Sequence, residues 1–169
     1  FILTGPERMQ QRPIGILVDA MKEIGAEIHY EKKVGYPPLK IEGGLFQGKD
    51  RVKIKGNISS QYISALLLIA PALKKGLTLE IEGELTSRPY VSMTLDMLKS
   101  VGIQYEWTEN AIKIAPQAFE KQTIYVEPDW SAASYWYAIV ALADADASIV
   151  LPGLRQHSLQ GDIAITDIM

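Results

Sequence analysis

The chain repeats itself, and that constrains its fold more than any other feature. Asp19-Ala-Met-Lys-Glu-Ile-Gly25 aligns residue for residue with Asp96-Met-Leu-Lys-Ser-Val-Gly102. Each copy closes a segment that opens on Arg-Pro, at Arg12-Pro13 and at Arg88-Pro89. Proline suits the first turn of a helix, where its missing N–H costs nothing. Ile14, Leu17, Val18, Met21 and Ile24 then fall at helical spacing, as do Met93, Leu95, Leu98 and Val101. Gly25 and Gly102 are placed to end the helices. Ala26 to Tyr30 and Ile103 to Trp107 read as the strands that follow. That is an internal repeat.

A second pattern alternates with the first. Arg51 to Lys55 reads as a strand, Ser59 to Leu73 as a helix, and Leu77 to Glu82 as a strand closed by Gly83. Thr123 to Glu127, Ser131 to Leu142 and Ser148 to Leu151 with Gly153 match that series element for element. Further strands are expected at Leu39 to Glu42 and Ala111 to Ile114, with Gly43-Gly44 in a turn. The order predicts an α/β (α+β) fold of βαβαββ units, with helices covering sheets. The period is too long for a solenoid of small repeats. A lobe boundary is expected near Glu127-Pro128-Asp129, where Pro follows a strand. Phe1-Ile2-Leu3-Thr4 reads as a strand entered midway and Gly161 to Met169 as a helix cut short. Both ends therefore read as breaks in a longer protein.

Composition removes several classes of function. The 169 residues are 47% hydrophobic and 22% charged, a globular balance. The net charge of −3 gives no electrostatic reason to expect a nucleic-acid partner. There is no cysteine, which excludes disulfides, thiolate metal sites and a cysteine nucleophile, and fits a reducing compartment. His29 and His157 are too few for a histidine-rich metal centre. The longest apolar stretches, such as Ile63 to Leu73, are too short to span a bilayer, and no signal peptide is visible. Neither a strand–GxxxxGK[ST]–helix loop nor a GxGxxG turn, HExxH motif, paired acidic metal motif or GxSxG elbow is present.

What remains is chemistry at helix starts. An N-terminal turn presents unpaired N–H groups and a partial positive charge, so it favours anions. Asn57-Ile58-Ser59-Ser60-Gln61 crowds two hydroxyls and an amide at one start, and Ser87-Arg88-Pro89-Tyr90 forms another. Capping by a serine is the plainer reading of each. Arg12 stands before a third start, and a guanidinium grips carboxylates or phosphates in bidentate fashion. A solvated surface role is the ordinary alternative for Arg12, and more so for Arg8. Asp129 is a natural cap for the helix from Ser131. Arg155 and His157 precede the final stub, where a lone His is ordinarily structural.

Six strings carry a resemblance. Leu3-Thr-Gly5-Pro-Glu-Arg8-Met-Gln-Gln-Arg12-Pro13-Ile14 comes first, then Tyr36-Pro37-Pro38-Leu39 with Gly43-Gly44, then Ser59-Ser60-Gln61. Ser87-Arg88-Pro89-Tyr90, Glu127-Pro128-Asp129-Trp130-Ser131-Ala132-Ala133-Ser134-Tyr135 and Ser158-Leu159-Gln160-Gly161-Asp162 complete the series. In this order, over the whole chain, they resemble the 3-phosphoshikimate 1-carboxyvinyltransferase (EPSP synthase) family of the shikimate pathway. Pro6-Glu7 is an unusual filling of its loop. Arg88 stands where a Lys is often found, and is expected to face solvent or phosphate loosely.

The resemblance implies two lobes of repeated βαβαββ units in an inside-out barrel. About two repeats and the start of a third would be present. Residues 1–126 would be part of the first lobe and residues 127–169 the start of the second. It implies transfer of the enolpyruvyl group of phosphoenolpyruvate to the 5-hydroxyl of shikimate 3-phosphate, in the cytoplasm, toward chorismate and the aromatic amino acids. Arg12 would hold phosphoenolpyruvate, with Gln61 between the two substrates. Ser59, Ser60 and Ser87 would bind the phosphate of shikimate 3-phosphate, and Tyr90 would lie against its ring. Asp129 would have a hinge or positioning role. No catalytic acid or base, cofactor or metal is expected in these residues. The expected partners are the two small substrates, with no nucleic acid or membrane. The parent would be a monomeric enzyme and the fragment inactive and prone to self-association through exposed apolar surface. The alternatives are a UDP-N-acetylglucosamine enolpyruvyl transferase, whose cysteine loop is absent, and a non-catalytic module of the same fold.

Overall fold

A computed structural model describes residues 1–44 and 46–169. The chain divides into two compact units, Phe1–Glu120 and Lys121–Met169. The first unit opens with β1 (Ile2–Leu3), α1 (Glu7–Gln10), α2 (Gly15–Ile24), β2 (Ile28–Tyr30) and β3 (Leu39–Ile41). It continues with β4 (Arg51–Lys55), α3 (Ser60–Ile69), β5 (Leu77–Glu82), α4 (Arg88–Ser100), β6 (Glu106–Trp107) and β7 (Ala111–Ile114). From Arg51 to Ile114 this is one complete βαβαββ unit, as the sequence pattern predicts. The expected strands at Ala26 to Tyr30 and Ile103 to Trp107 are shorter than predicted, and the helix from Ser59 ends at Ile69 and continues as a 3₁₀ turn over Ala70–Ala72. Pro71 forces that tightening, because it has no N–H for the helical ladder.

The topology displays the repeat. In the complete copy β4 pairs in parallel with β5, β5 antiparallel with β7, and β7 antiparallel with β6. In the other sheet β1 pairs antiparallel with β3, and β3 with β2. The order β1-β3-β2 therefore matches β5-β7-β6, with β1 at the edge where the complete copy carries β4. The helices α2 and α4 both end in a glycine with positive φ, +122° at Gly25 and +88° at Gly102. L-residues rarely adopt that geometry. At Gly25 a Cβ would also come within 2.1 Å of the Phe46 carbonyl oxygen.

The core follows from two periodicities. Val52 and Ile54 on β4, and Leu77, Leu79 and Ile81 on β5, alternate inward. Ile63, Leu66 and Leu67 of α3, and Val91, Leu95 and Leu98 of α4, lie three and four residues apart and close over that face. Each side chain buried in this way contributes roughly 1.5–3 kcal/mol relative to exposure. A smaller cluster of Val18, Ile28 and Leu39 joins α2 to the three-stranded sheet.

The second unit keeps its helices and loses its predicted strands. α5 (Trp130–Ala141) forms where a helix is expected, and the C-terminal stretch is a 3₁₀ turn over Gly161–Ala164 and α6 (Ile165–Ile168). Thr123 to Glu127 and Ser148 to Leu151 form no strand, which corrects the expectation of an element-for-element match. A helix satisfies its own backbone, whereas a strand needs a partner. A two-stranded ribbon alone is marginal. The parallel pair of β4 and β5 is extended by β7 and β6, and the described residues of the second unit supply no such strands. Val126 and Val150 are accordingly each 86% exposed.

Candidate anion site

In the first unit, the parallel pairing of β4 and β5 fixes where α3 and α4 begin. Each helix follows the carboxyl end of its strand, so both start at the same edge of the sheet. Crevices outside the carboxyl ends of parallel strands are where open α/β sheets take ligands. The loops leading to the two starts are packed together. Thr86 N–H donates to the Gly56 carbonyl at 3.3 Å, and a Cβ on Gly56 would sit 2.5 Å from the Glu84 carbonyl oxygen. Glycine at 56 thus permits the close approach that brings Ser59 and Ser87 to one edge.

Two further contacts assemble the site. The Tyr62 hydroxyl, in the first turn of α3, donates to the Pro13 carbonyl at 2.5 Å, which ties the Arg12-Pro13 segment to the Ser59-Ser60-Gln61 start. Thr94 donates its hydroxyl proton to the Tyr90 carbonyl at 2.9 Å, so Ser64 donates to Thr94 at 2.7 Å. That relay links α3 to the first turn of α4. Arg12, Ser59, Ser60, Gln61, Ser87 and Tyr90 are therefore carried on segments joined by hydrogen bonds within the first unit. Asp129 belongs to the second.

The serines at these starts are not spent on capping. Ser59 precedes α3 and Ser87 precedes α4, and neither side chain makes a cap hydrogen bond. The plainer expectation, that each caps its helix, is corrected by this geometry. Backbone angles give a reason for Ser87: at φ −108° and ψ 42° it lies outside the extended region a capping residue ordinarily occupies. Ser59 at φ −56° and ψ 123° is near that region, and its hydroxyl is still uncommitted. Arg12 is exposed and takes part in none of the ion pairs among the described residues. Gln61 is exposed, Ser60 and Ser87 are half-buried, and Tyr90 is 54% exposed. Uncommitted hydroxyls, first-turn N–H groups and a guanidinium are what an anionic group needs in order to be held.

Of the cavities in the first unit, two adjoin the elements described above. A polar one of about 530 Å³ at the carboxyl ends of β4 and β5 is lined by Lys55, Asn57, Glu82, Gly83, Glu84 and Thr86. Its two carboxylates make it a poor anion pocket in itself, and the donors lie on the adjoining helix starts. An apolar one of about 350 Å³ is lined by residues including Leu17, Met21, Leu39 and Ile69, from α2, β3 and α3, and it offers no polar constellation for chemistry. Among the described residues no group of three His, Cys, Asp or Glu is placed to hold a metal ion. No helix among them is long and apolar enough to cross a membrane.

Three features escaped the sequence. The Arg88 guanidinium lies 4.3 Å from the centre of the Trp107 ring, so it rests on the indole while the residue stays exposed to solvent. The bond from Tyr62 to Pro13 joins residues 49 apart. In the second unit Glu127 is a hub. Its carboxylate accepts from Trp130 Nε1 at 3.1 Å, Arg155 N–H at 3.1 Å, Ser158 Oγ at 2.7 Å and Gln160 Nε2 at 3.4 Å. Partial burial pushes the Glu127 carboxyl up, but those donors outweigh it and hold the group below its ordinary value. Beside it Asp129 accepts from Ser131 N–H at 2.8 Å, an actual cap. Arg155 stacks on Tyr125 at 4.3 Å. No local motif signals the bonds to Glu127 from Arg155, Ser158 and Gln160, whose donors lie 28, 31 and 33 residues away, whereas the Asp129 cap is the one the sequence predicts.

Comparison with known proteins places the whole of this in one family. The family model described as EPSP synthase (3-phosphoshikimate 1-carboxyvinyltransferase) matches residues 1–169. A Bacteroides fragilis (strain YCH46) protein named 3-phosphoshikimate 1-carboxyvinyltransferase is 53% identical over 161 residues, 95% of this chain and 39% of its own length. A Sulfurovum relative of the same name is 41% identical over 172 residues, all of this chain and 40% of its own. Among solved structures, an EPSP synthase from Acinetobacter baumannii superposes with a TM-score of 0.64 at 22% identity, over 83% of this chain and 31% of that one, which bears on the fold alone. The chain thus spans about two-fifths of the length of the curated relatives it matches.

Proposed function

The chain belongs to the EPSP synthase family, and we propose that it supplies one wall of a site that joins phosphoenolpyruvate to shikimate 3-phosphate. In that reaction the 5-hydroxyl of shikimate 3-phosphate adds to C2 of phosphoenolpyruvate and a proton goes to C3. The tetrahedral adduct then loses phosphate and a proton to give the enolpyruvyl ether. Ser59, Ser60 and Ser87 hold the phosphate of shikimate 3-phosphate, Tyr90 lies along its ring, Gln61 sits between the substrates, and Arg12 grips phosphoenolpyruvate. Asp129 has a positioning role at the start of the second lobe, with residues 1–126 belonging to the first.

The observation that carries this reading is the uncommitted state of Ser59 and Ser87 at two helix starts that share one sheet edge. A hydroxyl that does not cap its own helix is free to donate to a phosphate oxygen. Proton transfer needs an acid and a base, and none of the six proposed ligands is a carboxylate or a histidine. The 169 residues alone are therefore expected to be inactive, with acid, base and further cations contributed by other parts of the parent. The reading carries with it a cytoplasmic, monomeric parent whose partners are its two small substrates, and the absence of cysteine fits that compartment.

The test is kinetic. In the full-length parent, Arg12→Ala should raise the phosphoenolpyruvate concentration at half-saturation by roughly 10- to 100-fold, the worth of a charge-assisted hydrogen bond. An unchanged value removes Arg12 from the site. Calorimetry of shikimate 3-phosphate into the 169-residue chain should show weak binding. Affinity equal to that of the parent would contradict the one-wall arrangement.

A further inference from the structure

We infer that Arg88 is a positioning residue for shikimate 3-phosphate, acting through Trp107 rather than by touching the ligand. This rests on the reading of Ser87 and Tyr90 given above and extends it. Arg88 is the first residue of α4, directly between Ser87 and the turn that carries Tyr90. Its guanidinium lies over the Trp107 indole of β6, at 4.3 Å from the ring centre. A cation over the face of an indole is attracted by the ring's quadrupole, and tryptophan is the strongest such partner. Trp107 is itself anchored, because its ring packs on the main core and β6 pairs with β7, where Trp107 stands opposite Ile112. The indole Nε1–H is buried and has no hydrogen-bond partner. The ring is therefore not oriented by a polar contact of its own, and its face is the part that engages Arg88.

The first turn of α4 is thereby held from two directions. From α3, the relay from Ser64 through Thr94 reaches the Tyr90 carbonyl. From β6, Trp107 holds Arg88. Ser87 makes no cap bond of its own, so these two attachments, together with the fixed φ of Pro89, determine where its hydroxyl points. Loosening one of them lets the hydroxyl sample more directions and weakens any ligand that needs it in one. A lysine at 88 keeps a cation within reach of the ring, whereas a neutral side chain of similar length does not.

The experiment uses the full-length parent and five variants: Arg88→Gln, Arg88→Lys, Trp107→Leu, the double variant Arg88→Gln with Trp107→Leu, and Ser87→Ala. Arg88→Gln should raise the half-saturating concentration of shikimate 3-phosphate by roughly three- to tenfold, the scale of an exposed to partly desolvated cation–π contact. Phosphoenolpyruvate should shift by less than about twofold, because Arg12 is held by α3 and not by α4. Arg88→Lys should restore most of the loss. The double variant should be no worse than Trp107→Leu alone, since both remove one contact. Additive losses in the double variant would overturn the inference. So would an unchanged shikimate 3-phosphate requirement in Arg88→Gln when Ser87→Ala raises it, and in that case the reading of Ser87 stands. If Ser87→Ala changes nothing either, the underlying reading falls with it.

Discussion

The helix starts of the two units differ in how they use their polar side chains. At α5, Asp129 turns its carboxylate back onto Ser131 N–H, and Glu127 gathers donors from Trp130, Arg155, Ser158 and Gln160. Every strong acceptor there is occupied within the unit. At α3 and α4, Ser59 and Ser87 stand at the corresponding position and make no cap bond. The first unit can leave those groups uncommitted because its stability lies elsewhere, in a core of fully buried side chains such as Ile63, Leu79 and Leu95. The second has few buried apolar residues, chiefly Trp130 and Ala133, and is held by polar contacts. Structural capping and ligand binding draw on the same donors and acceptors, so a helix start with a free hydroxyl is a candidate site only where packing makes the cap dispensable.

The largest effect that would break this comparison lies in the segment after the helix, a strand in the first unit and none in the second. Leu79 is fully buried and Val150 is 86% exposed. Leu79→Ala should cost about 2–5 kcal/mol by loss of burial and creation of a cavity. Val150→Ala should change stability by less than about 0.5 kcal/mol. Chemical denaturation of each variant checks both, and equal costs would mean that the second copy has a core after all. A middle-sized effect sharpens the contrast at the helix starts. Asp129→Ala should cost about 1 kcal/mol through the lost cap. An unaltered denaturation midpoint in that variant would show that the bond to Ser131 contributes nothing.

The smallest effect is local and depends on pH. Glu127 is held below its ordinary value of 4.5 in the folded chain. A depressed carboxyl contributes stability that is fully present above the unfolded value and is lost as pH falls through the folded one. The links from Glu127 to residues 155–160 should therefore persist at neutral pH and loosen only below about pH 4.5. The Trp130 indole N–H resonance reports on this directly. It should titrate with a midpoint under 4.5, the ordinary value, and a midpoint at or above it would mean that the donors do not stabilise the carboxylate.

Much of the fold was legible because it rests on local periodicity. The stripes of α2 and α4, the stop at Gly25 and Gly102, and the alternation in β4 and β5 are written within short windows, and the structure places each of them. The predicted strands at Thr123 to Glu127 and Ser148 to Leu151 failed for a non-local reason: a period of two states that a segment can be a strand, and only a partner makes it one. The candidate site was legible as a set of residue types, since serines, an arginine and prolines at helix starts are visible in the chain. What the sequence left open was whether the serines were caps. At Ser87 that depends on backbone angles, and the shared edge of the two starts depends on the packing of Gly56 against the Glu84 carbonyl, which no spacing encodes. The stack of Arg88 on Trp107 was equally hidden, because it joins a helix start to a strand in the next part of the unit.

The most direct test of the central claim separates capping from binding at Ser59 and Ser87. In the full-length parent, Ser59→Ala and Ser87→Ala should each shift unfolding free energy by less than about 0.5 kcal/mol, because no cap bond is lost. Each should weaken shikimate 3-phosphate binding, measured by calorimetry, by roughly 10-fold or more, the worth of a hydrogen bond to a charged group. Destabilisation of about 1 kcal/mol with unchanged affinity would contradict the account and return both serines to ordinary caps.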